Sequence, residues 1–131
     1  MSKSYGNDIP LDADDKLIQQ RVSTMVTDPA RIRKDDPGHP DICTVYTYHT
    51  FYNKEEAPDI ECRCKEGTIG CVACKKRMAK VLSEFMAPMR ERRVKLAENS
   101  AALNEIIADG DERARKTARK TLEMVRSAMN I

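Results

Sequence analysis

Residues 71–89, CVACKKRMAKVLSEFMAPM, decide the fold. Met78, Val81, Leu82, Phe85 and Met89 recur three and four residues apart, the spacing that lines up one face of a helix. The helix is long and amphipathic, and Pro88 is expected to kink it, because an interior proline removes a backbone hydrogen bond. Reading toward the C-terminus, Asn99-Ser100 marks a break, and Leu103, Ile106 and Ile107 form a short helix ending near Gly110. A last helix from about residue 111 carries Ala114, Ala118, Leu122, Val125 and Met129, a stripe suited to packing in a bundle.

Reading the other way, residues 54–64 form a short helix with Pro58 in its first turn. The run from Thr44 to Tyr52 is β-branched and aromatic, which propensity alone would allow as a strand. The 45/48/49/52 spacing, and Asp41 as a cap, favour a helix. Residues 33–41 are a polar loop with two prolines and a glycine. Asp12 is read as the cap of a helix over roughly 13–27, with Leu17, Ile18, Val22 and Met25 as its apolar stripe and Asp28-Pro29 as its end. Residues 1–11 show no apolar period and read as a loop. With no strand signal and no internal repeat, the expected fold is an all-α helical bundle.

Composition sets outer limits. A chain of 131 residues suits one domain and leaves little room for a catalytic fold beside an appendage. No stretch approaches the roughly 18 consecutive apolar residues of a membrane span, and no secretory signal is visible, so a cytoplasmic, reducing compartment is expected. The formal charge of +2 conceals an uneven distribution. Residues 1–70 hold nine basic and thirteen acidic side chains, whereas residues 71–131 hold fourteen and eight. A polyanion is therefore expected to meet the second half.

Five cysteines, at 43, 62, 64, 71 and 74, crowd into 32 residues. In a reducing compartment a disulfide framework is not expected. Cys71 and Cys74 at a helix start can grip one metal centre, with Lys75, Lys76 and the free N–H groups of the helix favouring thiolates. Cys64 and Cys43 complete a C-x20-C-x6-C-x2-C set, with Cys62 as a substitute for Cys64. Four thiolates suit tetrahedral zinc or an iron–sulfur cluster, and softness does not choose between them. The competing reading makes Cys43 and Cys62 small buried hydrophobes and Cys71/Cys74 a redox pair. His39 reads as a turn residue and His49 as a hydrogen-bonded core histidine. At the start of the chain, an amino group beside two hydroxyls in a loop suits a triphosphate.

These pieces together resemble one family. The opening MSKSYGNDIPL resembles the end of the K-M-S-K-S signature of class I aminoacyl-tRNA synthetases. TMVTD at 24–28, DPGHPD at 36–41, YHTF at 48–51, IGCVACKK at 69–76, APMRERR at 87–93 and VRSAMN at 125–130 resemble the bacterial tryptophanyl-tRNA synthetases, in family order. The resemblance implies a remnant of the catalytic-domain signature loop at 1–11 and a helical anticodon-binding domain at 12–131. It implies that Met1, Ser2, Lys3 and Ser4 belong to the ATP-binding loop, with Lys3 the catalytic lysine that stabilises the adenylation transition state. A subgroup of these enzymes holds a [4Fe–4S] cluster through C-x22-C-x6-C-x2-C. That pattern implies Cys43, Cys64, Cys71 and Cys74 as ligands and prefers the cluster to zinc, although the first interval here is x20.

The family joins tryptophan to tRNA(Trp) using ATP and Mg2+, and its full-length enzymes are homodimeric. Lys75, Lys76, Arg77, Arg92 and Arg93 are the implied tRNA contacts. The H-I-G-H signature, the tryptophan pocket and the nucleotide-binding fold are not in this sequence, so the chain alone is expected neither to form adenylate nor to charge tRNA. The family's dimer contacts lie mainly in that missing domain, and the fragment is expected to be monomeric. The alternative function is a free-standing four-cysteine iron–sulfur or zinc module with a tRNA-binding or redox role.

Overall fold

A computed structural model describes Lys3 to Ile131, and all regular structure among these residues is helical, as the apolar periods require. Helix α1 spans Asp15–Ser23 and is shorter at both ends than its apolar stripe predicts. Asp14, not Asp12, is the cap: its Oδ1 accepts the Leu17 N–H at 2.7 Å, satisfying one of the donors left open at a helix start. Ile18 and Val22, one turn apart, are completely buried.

A 3-10 turn over Pro40–Ile42 leads into α2, Thr44–Tyr52. Asp41 lies within that turn instead of capping the helix, and Cys43 occupies the cap position without a side-chain bond. Helix wins over strand here because Val45 and His49, four residues apart, are both fully buried, and Tyr46 donates its hydroxyl to Glu61 at 2.7 Å. Packing outweighs the β-branched composition. Helix α3, Ala57–Lys65, has Pro58 in its first turn, where a missing N–H costs nothing.

Helix α4 runs from Cys71 to Glu98 and continues through Pro88. Its buried face is Met78, Ala79, Val81, Leu82 and Met86. Phe85, expected in that face, is 55% exposed and meets Tyr52 edge-on at 5.0 Å. Beyond Pro88, Arg90 donates to the Ala13 carbonyl at 2.9 Å and pairs with Asp15 at 2.7 Å, fastening this part of α4 to the start of α1. The core is thus made by α1, α2 and α4, with Cys43 inside it and Cys74 against its edge.

The chain separates into two compact units, one ending at Glu91 and the other spanning Arg92–Ile131. The second unit contains α5, Ser100–Met129, capped by Asn99, whose Oδ1 accepts the Ala102 N–H at 3.0 Å. The expected break at Gly110 is absent; one helix passes through it. A helical glycine costs about 1 kcal/mol relative to alanine, too little to end a helix braced by the Asp109–Arg113 and Asp111–Arg115 pairs. The predicted stripe lies on this helix, and its Leu122, Val125 and Met129 are 48%, 46% and 61% exposed.

Candidate functional site

Three helices bring four of the five cysteines to one place. Cys43 precedes α2, Cys64 lies in the last turn of α3, and Cys71 and Cys74 begin α4. Cys43 is buried and the other three are half-buried. Burial pushes the Cys74 thiol up to about 12, and the thiols of Cys43, Cys64 and Cys71 all add to that rise. Cys64 is raised by burial in the same way and also feels Cys43 and Cys71. Cys62 stands apart: it is exposed, donates to Glu66 just past the end of α3 at 3.3 Å, and its thiol is raised first by that carboxylate. Of these two, Cys64 is the one that shares its surroundings with Cys43, Cys71 and Cys74. Among the described residues, however, no three His, Cys, Asp or Glu side chains are arranged to hold a metal ion.

The surroundings of the thiols are built largely by residues that sequence reading passed over. Arg31 donates to the carbonyls of Lys34 and Ile69, at 2.5 and 2.7 Å, and its Nη1 lies 3.8 Å from the Cys64 sulfur and 3.9 Å from that of Cys71. Its charge offsets part of the rise at Cys64. Buried Asp28 holds the following loop, accepting the N–H groups of Ala30 and His39 at 2.9 Å each and facing His39 Nδ1 at 2.8 Å. The His39 side-chain bond comes first in holding the Asp28 carboxyl below its usual range. The loop then closes on α3, where Gly38 donates to the Cys64 carbonyl at 2.9 Å. A Cβ at Gly38 would stand 2.6 Å from the Cys64 sulfur, so any larger residue would have to displace that sulfur.

On the opposite side, fully buried His49 places Nε2 3.5 Å from the Cys74 sulfur. Asn53 approaches its Nδ1 at 3.1 Å as a donor, which leaves the ring proton on Nε2, facing Cys74. Burial lowers the His49 pKa, consistent with a neutral ring. Asn53 also donates to Glu56, and Glu56 forms a two-point pair with Arg77, which holds its carboxyl at about 2.

The predicted tRNA contacts are separated by this geometry. Arg77 is engaged with Glu56 and braces α4 against the start of α3. Lys75 donates to the Ser23 carbonyl at 2.9 Å, while Lys76 is exposed. Arg92 and Arg93 lie on an exposed stretch in the second unit. Lys3 and Ser4 sit on an exposed 3-10 turn, Lys3–Tyr5, closed by the Gly6 N–H on the Lys3 carbonyl at 3.1 Å. Met1 and Ser2 lie outside the described residues. Among the described residues, no helix is long and apolar enough to cross a membrane.

The family model described as tRNA synthetases class I (W and Y) matches residues 1–87. The chain belongs to that family of class I tRNA synthetases. It is 42% identical, over its whole length, to the tryptophan–tRNA ligase of Aquifex aeolicus and 41% identical to that of Thermotoga maritima. It spans 34% and 40% of those two proteins. The crystal structure of tryptophanyl-tRNA synthetase from Campylobacter jejuni shares the fold over the entire chain, with a TM-score of 0.85 at 24% identity, and the match covers 42% of that chain.

Proposed function

We propose that the chain is the C-terminal, anticodon-binding part of a tryptophan–tRNA ligase, an enzyme that activates tryptophan with ATP and Mg2+ and transfers it to tRNA(Trp). The observation that carries this reading is identity along the full chain with tryptophan–tRNA ligases, against a chain that spans only about a third of the first of them. In this reading residues 1–11 belong to the catalytic signature loop and residues 12–131 form the tRNA-binding region. Lys3 serves the ATP phosphates as a point charge, with Met1, Ser2 and Ser4 in the same loop. Gly6 has a positive φ of 60° and lies against the Arg21 guanidinium, beside the end of this loop. Lys75, Lys76, Arg92 and Arg93 supply phosphate contacts. Arg77 contributes through its hold on Glu56.

In this reading Cys43, Cys64, Cys71 and Cys74 would hold a [4Fe–4S] cluster, with zinc as the alternative, since four thiolates suit either. A single zinc needs four sulfurs about 2.3 Å from one point. A cluster takes one thiolate per iron and so spreads them more widely, and burial and mutual electrostatics place the four thiols in one neighbourhood. When bound, the group would crosslink the starts of α2 and α4 to the end of α3. Arg31 and His49 already face its sulfurs with N–H groups, which is how outer residues steady a metal centre.

Purified without oxygen, the chain should absorb at about 400 nm and contain iron and sulfide. Cys64→Ser or Cys71→Ser should abolish that absorbance, and Cys62→Ser should leave it intact. Loss with Cys62→Ser but not with Cys64→Ser would reverse the ligand assignment. The functional reading is tested by selective binding of tRNA(Trp) over other tRNAs.

A further inference from the structure

Helix α5 is 30 residues long, and among its described residues none is buried. Yet one face of it is apolar nearly from end to end. Leu103, Ala114 and Val125 recur at intervals of 11 residues, as do Ile107, Ala118 and Met129. Eleven residues make three turns of an almost straight helix, so the two rows run side by side along its length. From Leu103 to Met129 the face is about 39 Å long, and at about 10 Å wide it covers on the order of 400 Å². Contiguous apolar surface of that size marks an interaction site. A helix in water also draws most of its stability from covering such a face.

Charge indicates the occupant. Residues 100–112 hold four acidic and no basic side chains, and residues 113–129 hold six basic and one acidic. The helix dipole does not account for this order, because it acts on the end turns and the first turn holds no acid. Pairs within the helix do not account for it either: Asp109–Arg113 and Asp111–Arg115 join residues where the two halves meet. A helix divided in this way is complementary to itself run in the opposite direction. A parallel copy would set like charges side by side, whereas an antiparallel copy sets each acidic half against a basic one. The apolar face obeys the same symmetry. With Ala114 on a two-fold axis, Leu103 stands across from the partner's Val125, and Gly110 from the partner's Ala118. A Cβ at Gly110 would meet no described atom within 4 Å, so the free chain does not require glycine there. Across the axis it allows the two backbones to approach.

We propose that α5 is a self-association surface: two copies of this chain pair through it, antiparallel about Ala114, with each acidic half against the other's basic half. The surface lies wholly within residues 100–129, so the pairing makes no use of the missing domain and replaces the monomer expected from the family resemblance. It holds whether or not the chain binds tRNA. The two faces together supply about 800 Å² of apolar contact, less than the roughly 1,200 Å² at which stable interfaces begin, so the dimer forms only at high concentration. Denaturation curves taken at a few micromolar therefore report the monomer.

Sedimentation equilibrium of the full 131-residue chain provides the test. The mass should rise from 14.9 kDa at a few micromolar toward twice that value at several hundred micromolar. Ala114→Arg sets two arginines against each other on the axis and should weaken the dimer about tenfold or more. Ala114 is exposed and arginine is a good helix former, so the variant should keep the helical circular dichroism of the wild type. Rising salt should weaken the wild-type dimer, because the charges that face each other are opposite. A chain that stays monomeric at every concentration would overturn the proposal and leave the apolar face to a different occupant. A dimer indifferent to Ala114→Arg would place the interface elsewhere and overturn it equally. A dimer that fails to weaken with salt would overturn the antiparallel order.

Discussion

Gly67→Ala is expected to destabilise the protein by at least about 2–3 kcal/mol and to loosen the loop around Cys64. Gly67 follows α3 with φ at 72°, a left-handed conformation that costs an alanine roughly 1–2 kcal/mol. Space is a second obstacle, since a Cβ there would lie 2.3 Å from the Asp35 carbonyl oxygen. The contact is with backbone, so no side-chain rotation relieves it. The displaced strand of loop is the one that carries Asp36, whose carboxylate orders residues 32 and 33, and it runs directly into Gly38 against Cys64. Chemical denaturation of the variant should show a lower midpoint with a similar slope. An unchanged midpoint would mean that the 35–38 loop does not pack on the end of α3.

Ile18→Ala should cost about 2–5 kcal/mol, the usual range for emptying a fully buried aliphatic site. Ile18 has no exposed surface and lies in the cluster that joins α1 to Met78, Val81 and Leu82 of α4 and to Val45 of α2. The informative comparison is Ile107→Ala. That residue belongs to an equally regular apolar pattern, yet it is 60% exposed, so its loss should change stability by no more than about 0.5 kcal/mol. Paired denaturation curves separate a stripe that is buried in this chain from one that is not. Equal losses at the two positions would contradict the burial difference between the units.

The contrast between those two isoleucines shows how far the sequence could be read. The 3/4 periods at Ile18–Val22 and Met78–Val81–Leu82 located real core faces, because a core is made by repeated apolar positions. The same kind of period in α5 located a helix but not its partner; amphipathicity states that a face seeks cover, not what supplies it. Gly110 was read as a terminator although one glycine is a small penalty in a long, ion-paired helix. Asp12 and Asp41 were chosen as caps because Asp favours caps, yet Asp14 and the 3-10 turn at Pro40–Ile42 took those places, and several acids compete at each start.

The clustering of cysteines was legible in the sequence, but the residues that surround them were not. The x6 and x2 spacings selected Cys64, Cys71 and Cys74, and the structure gathers them with Cys43 while Cys62 stands aside. Arg31 and Asp28 gave no comparable signal, because their roles depend on a loop folding back over 30 to 40 residues of chain. A charge count along the chain does not show which basic side chains meet in space. Arg33 and Lys34, from the acidic half, line the same cleft as Lys76 from the basic half. Arg77, by contrast, was counted as available and is paired with Glu56.

Direct competition between tRNA(Trp) and a tRNA of different anticodon, for the 131-residue chain at fixed and then rising salt, tests the central claim. The account predicts a preference of about tenfold or more for tRNA(Trp), with binding to both weakening steeply as salt rises. Equal affinity for the two tRNAs, or an affinity indifferent to salt, would contradict it.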